Sequence, residues 1–172
     1  MTIETERLII RPVTLDDLKE VQQIDADFNN SEYVYYDTPH NISENELKLI
    51  LFIVSLKQEK TLTGYINFYK ENGIYNLGYC FHRSYQHKGY ATESIVAFLN
   101  YQHSRGIKEC IVGTAEENKP SVKFLKKLGF KEFYRHKLFF HKDSNGKPIV
   151  FTSIWTKRKL PITEFDVKYK VY

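Results

Sequence analysis

The residues from Gln86 to Ala91 have the types and the spacing of a turn that binds a phosphate group. A strand-like run, Tyr75 to Phe81, precedes them, and apolar residues at helical spacing follow from Thr92 to Leu99. The first turn of a helix presents unpaired backbone N–H groups and the positive end of the helix dipole, which together stabilise an anion. Gly89 has no Cβ and lets the main chain approach such a ligand, and Ala91 is the next smallest residue. A glycine in an ordinary surface turn is the alternative interpretation.

The composition indicates a soluble, globular chain of one domain. The chain has 172 residues, of which 42% are hydrophobic and 27% charged. Because no apolar run approaches the roughly 20 residues that span a bilayer, we expect no membrane segment. Met1 to Glu6 lack a basic segment followed by an apolar one, which argues against a secretory signal. Cys80 and Cys110 lie in apolar runs and are expected to be buried, neither a disulfide nor metal ligands. These features favour a reducing cytoplasm and predict no metal site.

The net charge is too small to identify a partner by itself. It is +4 at pH 7 with a pI of about 8.9, which is compatible with an acidic ligand such as a nucleotide or with an RNA-rich neighbourhood. The 13 tyrosines and 12 phenylalanines mostly alternate within strand-like runs, so sheet packing explains them better than base stacking. The basic run Lys157-Arg158-Lys159 could touch RNA or an acidic partner, although such a cluster is more often a solvated end. We therefore expect no direct contact with nucleic acid.

Two helices are predicted in the first third of the chain. Thr14 with Asp17 resembles a capping box. The apolar residues that follow it at helical spacing are Leu15, Leu18, Val21 and Ile24. Ser43 with Glu46 forms a second capping box, and the apolar residues after it are Leu47, Ile50, Leu51 and Val54. An irregular aromatic stretch, Phe28 to Asn41, separates the two helices.

The remaining elements alternate around the phosphate-binding turn. Strand-like runs occur at Arg7 to Arg11, Thr61 to Tyr69, Ile74 to Phe81, Glu109 to Ala115, Lys131 to Phe140 and Pro148 to Trp155, with an extra strand at Val167 to Val171. One helix follows the turn and ends at Gly106, and another begins near Pro120 and ends at Gly129. The approximate order, βαα-ββ-βα-βα-ββ, predicts an α+β or α/β fold with a mixed, mostly antiparallel central sheet and helices on both faces. A ligand would bind beside the turn, where the parallel pair of strands separates.

Three short segments occur in the order and with the separations of a known family. They are Leu77-Gly78-Tyr79, Gln86 to Ala91 with Thr92-Glu93, and Glu117-Asn118 with Ser121 and Leu128-Gly129-Phe130. On these residues the chain resembles the GCN5-related N-acetyltransferases (the GNAT family), specifically the ribosomal-protein N-terminal acetyltransferase (RimJ/RimL-like) branch, and the resemblance begins at Thr5-Glu6-Arg7-Leu8 with Arg11-Pro12. The second segment fits that family's (Arg/Gln)-x-x-Gly-x-(Gly/Ala) pyrophosphate loop. The resemblance covers residues 5–156 of a single domain over residues 1–172, whose last part, 157–172, is a tail.

The resemblance implies an enzyme that transfers acetyl from acetyl-CoA to a primary amine in a direct ternary complex. The residues that it places around acetyl-CoA are Cys80, Phe81, His82, Gln86, His87, Lys88, Gly89, Tyr90, Ala91, Thr92 and Asn118. Amides from His87 to Thr92 would hold the pyrophosphate, with Lys88 as an additional charge. A backbone N–H around Cys80 to His82 would polarise the thioester carbonyl. Asn118 would hydrogen-bond the pantetheine arm and Ser121 would lie near the departing sulfur, so these two are the predicted catalytic residues.

Two positions depart from the family's acid and base pattern. Leu125 stands where many members have a tyrosine that protonates the departing thiolate, so Ser121 becomes the predicted donor or water-orienting group; an ordinary first-turn helix residue is the alternative. Asn76 stands where a carboxylate often lies and cannot take a proton, so the amine must use another group or a water chain, or arrive neutral. Glu93 is better explained by capping and the helix dipole than as a base. His82 could titrate near neutral pH or be a solvated strand end.

A protein N-terminus is the favoured acceptor, because the ribosomal-protein branch gives the resemblance. A small amine, such as a polyamine, an aminoglycoside or an amino-acid derivative, is the alternative within the same chemistry. Tyr36 and Asp37 would hold the substrate ammonium by cation–π contact and charge, and a structural loop with a buried tyrosine competes with this interpretation. A non-catalytic acyl-CoA-binding module is the alternative from another class. A monomer and a homodimer are both compatible with the sequence, the tail strand being a candidate pairing edge.

Overall fold

A computed structural model of the chain describes residues 1–29, 48–142 and 145–172. The strands in this part of the chain are β1 (Ile3–Glu4), β2 (Leu8–Pro12), β3 (Leu51–Leu56), β4 (Leu62–Glu71), β5 (Ile74–Phe81), β6 (Glu109–Ala115), β7 (Lys131–Lys142), β8 (Pro148–Lys159) and β9 (Lys170–Val171). The longer α-helices of this part are α1 (Leu18–Asn29), α2 (Tyr90–Ser104) and α3 (Lys119–Lys127), and short 3-10 turns cover Leu15–Asp17 and Arg83–Tyr85. No helix of the described part is long and apolar enough to cross a membrane.

The strands form one sheet in the order β7-β8-β6-β5-β4-β3-β2-β1-β9. All neighbouring strands are antiparallel except β5 and β6, which are parallel. Helix α2 connects these two strands, as a parallel pair requires a crossover connection. The predicted fold class, a mixed and mostly antiparallel sheet flanked by helices, is confirmed.

The parallel pair separates along its length. A single residue pair, Asn76 with Ile111, bridges β5 and β6, although β5 continues to Phe81 and β6 to Ala115. On its other edge β5 is fully paired, from Ile74 to Phe81, with β4. The predicted gap between the two parallel strands therefore lies at their C-terminal ends.

Two apolar clusters cover opposite faces of the sheet. Successive residues of β3 show this alternation: Phe52 and Val54 join the cluster of α2 and α3, whereas Ile53 joins the cluster of α1. The same alternation on β5 places Leu77 in the first cluster and Cys80 in the second. We call these surfaces the α2/α3 face and the α1 face.

The predicted second helix is wrong over its C-terminal part. Residues 48–50 are helical, but β3 takes up Leu51–Leu56, and five of these six residues are buried. A strand that is buried on both faces gives a continuous apolar run, in which helical spacing also occurs by chance. The second capping box, Ser43 with Glu46, lies outside the described residues.

The edges of the predicted elements also differ in places. Leu15 was predicted on the buried stripe of the first helix, but it lies in the 3-10 turn before α1 and is 58% exposed, because this turn does not have the α-helical period. The predicted strand at Val167 to Val171 is reduced to β9, which pairs with the unpredicted strand β1. The capping box is confirmed, since the Asp17 carboxylate accepts from the Thr14 N–H at 2.7 Å.

Local stop signals predicted the helix ends well. Gly106 follows α2 with φ +96° and Gly129 follows α3 with φ +76°, both in the left-handed region that favours glycine. Both cysteines are buried and neither forms a disulfide, as expected. Burial raises the pKa of the Cys110 thiol to about 12, so it behaves as a core hydrophobe.

We predict that Gly64→Ala destabilises the protein and that Gly78→Ala does not. A Cβ at Gly64 would collide with the Cys80 carbonyl and lie 2.6 Å from Cδ1 of Phe81, whereas at Gly78 the nearest atom, Cβ of Asn67, is 3.5 Å away. The first substitution is expected to lower the free energy of unfolding by about 1–3 kcal/mol, as overpacking usually does. Urea denaturation measures both variants, and equal stabilities would contradict the close approach of β4 to the end of β5.

Candidate active site

The turn between β5 and α2 is built by two left-handed residues. After the 3-10 turn Arg83–Tyr85, His87 has φ +60° and Gly89 has φ +84°, and α2 begins at Tyr90. Gly89 is the N-cap of α2, so the predicted start of the helix is confirmed. The backbone amides after it are the unpaired first-turn groups that favour an anion. His87 has a Cβ, and positive φ is uncommon for such a residue, although histidine adopts it more often than most.

Gln86 fastens the turn to the end of β5. Its Nε2 donates to the Phe81 carbonyl at 2.9 Å. At the same strand end, the His82 N–H donates to the Thr63 carbonyl of β4 at 2.9 Å, so that amide is already used within the protein. Because successive amides of a strand point to opposite edges, the N–H of Phe81 faces the gap toward β6. Among Cys80, Phe81 and His82, this geometry selects Phe81 as the amide available to a ligand in the gap.

Arg7 and Glu93 connect the N-terminal segment to the turn. The Glu93 carboxylate accepts from Thr5 Oγ1 at 2.6 Å and from the Arg7 N–H at 3.0 Å, and it forms an ion pair with Arg7 Nη2 at 2.7 Å. Arg7 Nη1 also donates to the Lys88 carbonyl at 3.1 Å, and its guanidinium lies 4.6 Å from the Tyr90 ring centroid. The Glu93 carboxylate is thus occupied by these contacts. Its place in the first turn of α2 supports a structural role over that of a base.

Asn118 and Ser121 begin α3 on the far side of the gap. Asn118 is the N-cap, and its Oδ1 accepts from the Ser121 N–H at 3.2 Å. Pro120 in the first turn, where an N–H has no helical partner, fits the same start. The Asn118 side-chain oxygen therefore caps α3. The predicted contact of Asn118 with pantetheine stays a prediction.

Ser121 forms a hydrogen bond with a tyrosine that was not among the predicted site residues. Its Oγ lies 2.9 Å from the hydroxyl of Tyr79 on β5. Burial raises the pKa of Tyr79 well above its ordinary value, and the hydrogen bond to Ser121 only partly opposes the shift. Tyr79 stands in the matched segment Leu77-Gly78-Tyr79, but nothing local pairs it with a serine 42 residues away. Leu125, which the resemblance aligns with the family tyrosine, is 1% exposed within the core.

The other predicted residues are distributed around this arrangement. Tyr90, Ala91 and Thr92 form the first turn of α2, and the Thr92 hydroxyl accepts from Lys127 Nζ at 3.3 Å. Lys88 Nζ lies 5.5 Å from the Tyr85 ring centroid. Asn76 is buried on β5, where its Nδ2 donates to the Ile74 carbonyl at 3.3 Å. The acceptor-site candidates Tyr36 and Asp37 lie outside the described residues.

A family model described as an acetyltransferase (GNAT) domain matches residues 7–131. The chain belongs to this GNAT acetyltransferase family. It is 33% identical to the uncharacterized N-acetyltransferase YnaD of Bacillus subtilis, over 76% of this chain and 83% of that protein. It is also 26% identical to the uncharacterized N-acetyltransferase p20 of Bacillus licheniformis, over 76% of this chain and 83% of that protein.

Solved GNAT structures share the fold. A GNAT acetyltransferase from Bacillus anthracis has a TM-score of 0.70 and 26% identity, covering 92% of this chain and 98% of its own. The ribosomal-protein-S5-alanine acetyltransferase of Vibrio fischeri has a TM-score of 0.70 at 16% identity, with coverage of 92% and 96%. The spermidine N-acetyltransferase of Vibrio cholerae, solved with CoA and spermine, has a TM-score of 0.66 and 20% sequence identity. The match covers 88% of this chain and 95% of that chain. Since the last two act on different acceptors, the shared fold does not select one for this GNAT protein.

We predict that Arg7→Gln weakens acetyl-CoA binding without changing the maximal rate. The substitution removes the ion pair with Glu93 and the bond to the Lys88 carbonyl, so the turn loses its support. The dissociation constant should rise about tenfold, as expected when one hydrogen bond to a charged group is lost. Calorimetric titration gives the affinity, and kcat at saturating acetyl-CoA gives the rate.

Arg11→Gln is the matched control for this prediction. Arg11 forms an equivalent pair with Asp17, at 2.8 Å, four residues further along the chain and away from the turn. This variant should bind acetyl-CoA as the wild type does. Equal affinities for both variants would show that Arg7 supports the fold and not the turn.

Proposed function

We propose that this protein transfers the acetyl group of acetyl-CoA to a primary amine in the cytoplasm, with a protein N-terminus as the favoured acceptor. The observation that carries the proposal is the gap between β5 and β6, which has the left-handed turn at the start of α2 on one side and Ser121 of α3 on the other. An elongated cofactor with a pyrophosphate at one end and a thioester at the other matches these two sides.

The cofactor would be held mainly by backbone groups. Amides from His87 to Thr92 would bind the pyrophosphate, and Lys88 would add a positive charge. Pantetheine would pair with the open edge of β5, in the way that an extended peptide adds a strand to a sheet. This side of the proposal needs no metal.

The transfer step would use Phe81 and Ser121. The Phe81 N–H would stabilise the negative charge that develops on the thioester oxygen when the amine attacks. Ser121 would donate a hydrogen bond to the sulfur as the carbon–sulfur bond breaks. Since Asn76 cannot accept a proton, the amine would arrive neutral or lose its proton to a water chain.

An amine acceptor is supported by a polar position on the α1 face. Asn67 pairs with Gly78 of β5, which has no side chain to cover it. The Asn67 Oδ1 is buried and has no hydrogen-bond partner in the described part of the chain. A buried oxygen acceptor of this kind suits an N–H donor, because leaving it unpaired costs about 1–3 kcal/mol.

We predict micromolar binding of acetyl-CoA that is weakened at least tenfold by Gly89→Ala but not by Gly106→Ala. Both glycines have positive φ at the ends of α2, so alanine strains the backbone similarly at the two positions. Only at Gly89 would the new Cβ lie on the proposed pyrophosphate site, 3.2 Å from Arg7 Nη2; at Gly106 no surrounding atom of the described residues comes within 4 Å. Calorimetric titration distinguishes the variants, and failure of the wild type to bind would refute the cofactor assignment.

We predict thiol release from acetyl-CoA when the correct amine is present. The panel would hold peptides with free N-termini, the same peptides with blocked N-termini, spermidine and an aminoglycoside. Turnover with the free peptides alone supports the favoured acceptor, and turnover with the small amines alone replaces it by a small-molecule activity. Binding of acetyl-CoA without thiol release for any amine would identify a non-catalytic acyl-CoA-binding module.

A further inference from the structure

The hydroxyl groups of Tyr79 and Ser121 meet where β5 faces the start of α3. We infer that Tyr79 is a positioning residue, which donates its hydrogen to Ser121 Oγ and thereby directs the Ser121 hydroxyl at the sulfur of the departing CoA. This inference rests on the proposed function and deepens it. The Tyr79 hydroxyl would then act on the leaving group indirectly, from the central strand and through Ser121. The residue that the resemblance aligns with the family's tyrosine is Leu125, which has no hydroxyl.

The side chain of Ser121 bonds differently from Ser94 and Ser104, the other α-helical serines in the described part of the chain. Ser94 donates to the Tyr90 carbonyl at 2.8 Å and Ser104 to the Tyr101 carbonyl at 2.7 Å, as serines in helices commonly do. Ser121 instead reaches across to another element, at 2.9 Å from Tyr79. Its backbone is fixed at the same time by the Asn118 cap. The Ser121 hydroxyl is therefore oriented from two directions.

The direction of the hydrogen bond follows from the chemistry of the two groups. Either hydroxyl could donate, but a phenol is the more acidic of the two and so the better donor. Burial also keeps the Tyr79 phenol protonated at every physiological pH, because it raises the pKa. When Tyr79 donates, the hydrogen of Ser121 is left to point away from Tyr79. In the proposed complex, that direction holds the thioester sulfur.

Tyr79 is held firmly enough to set this direction. Its ring packs edge-on against Phe124 of α3, with the centroids 5.2 Å apart. It also belongs to the apolar cluster of the α2/α3 face. Rotamers that are locked by packing are what a positioned hydrogen-bond donor needs.

The step balances without loss of a proton from either hydroxyl. The amine nitrogen forms a bond to the carbonyl carbon, the carbon–sulfur bond breaks, and sulfur keeps the electron pair. Ser121 donates a hydrogen bond to this thiolate, and the bond from Tyr79 strengthens that donation by polarising the Ser121 hydroxyl. The proton that the amine releases passes through water and neutralises the thiolate. Tyr79 therefore acts as a neutral donor throughout.

The test is a double-substitution cycle on the full chain with Tyr79→Phe and Ser121→Ala. Tyr79→Phe keeps the ring and its contact with Phe124, so the affinity for acetyl-CoA should stay within twofold of the wild type. Its kcat should fall about tenfold, which corresponds to one hydrogen bond of ordinary strength. In the Ser121→Ala background, Tyr79→Phe should have no further effect on kcat. Tyr75→Phe, on the same face of β5 with its ring stacked on Phe68, should leave both quantities unchanged.

Each outcome of the cycle supports or overturns the positioning role of Tyr79. An unchanged kcat in Tyr79→Phe, or a similar fall in kcat with and without Ser121, would overturn the inference and leave the proposed function standing. A loss of acetyl-CoA affinity that accompanies the loss of rate would show that the tyrosine hydroxyl has only a structural role. If the wild type releases no thiol with any amine, the proposed function fails, and this inference fails with it.

Discussion

The sheet has an unusual constraint at the junction of β5 and β6, where the backbones are bridged only between Asn76 and Ile111. Backbone N–H and C=O groups beyond this pair still need partners, since a sheet interior seldom leaves them unpaired. Gln86 satisfies one of them by donating to the Phe81 carbonyl. An extended ligand in the gap would satisfy others. The helix that connects the two strands must begin beside the gap, which explains why the turn and the open strand edge occur together.

The position of the turn depends on contacts that are distant in the sequence. Arg7 and Glu93 are 86 residues apart, yet their contacts tie the N-terminal segment to the first turn of α2. Glycine at position 89 leaves room for this arrangement, because Arg7 Nη2 lies 3.2 Å from where a Cβ would be. The segment Thr5 to Leu8 therefore helps to hold the turn in place, through the bonds of Thr5 and Arg7 to Glu93 and of Arg7 to the Lys88 carbonyl.

Features that local sequence signals determine were predicted from the sequence, whereas features that depend on long-range contacts were not. The C-terminal ends of α2 and α3 follow from Gly106 and Gly129, the first turn of α3 follows from Pro120, and β6 was predicted at its observed limits. Strand β3 was missed because its residues are buried on both faces and carry no strand period. The pairing of Tyr79 with Ser121 had no local signal at all, since it exists only once β5 and α3 are packed.

The two faces of the sheet suggest how a direct transfer would be organised. Tyr79 and Phe81 point to the α2/α3 face, where Ser121 lies, whereas Cys80 and its alternating neighbours Gly78 and Asn76 belong to the α1 face. A cofactor that enters beside α2 would present its sulfur to the first face and its acetyl carbon to the gap. An amine that approaches from the α1 face would then add to that carbon across a face of its planar carbonyl, from the side of the sheet opposite Ser121. Because the gap is where β5 and β6 are unpaired, attack and departure would take place through the same opening but from different sides.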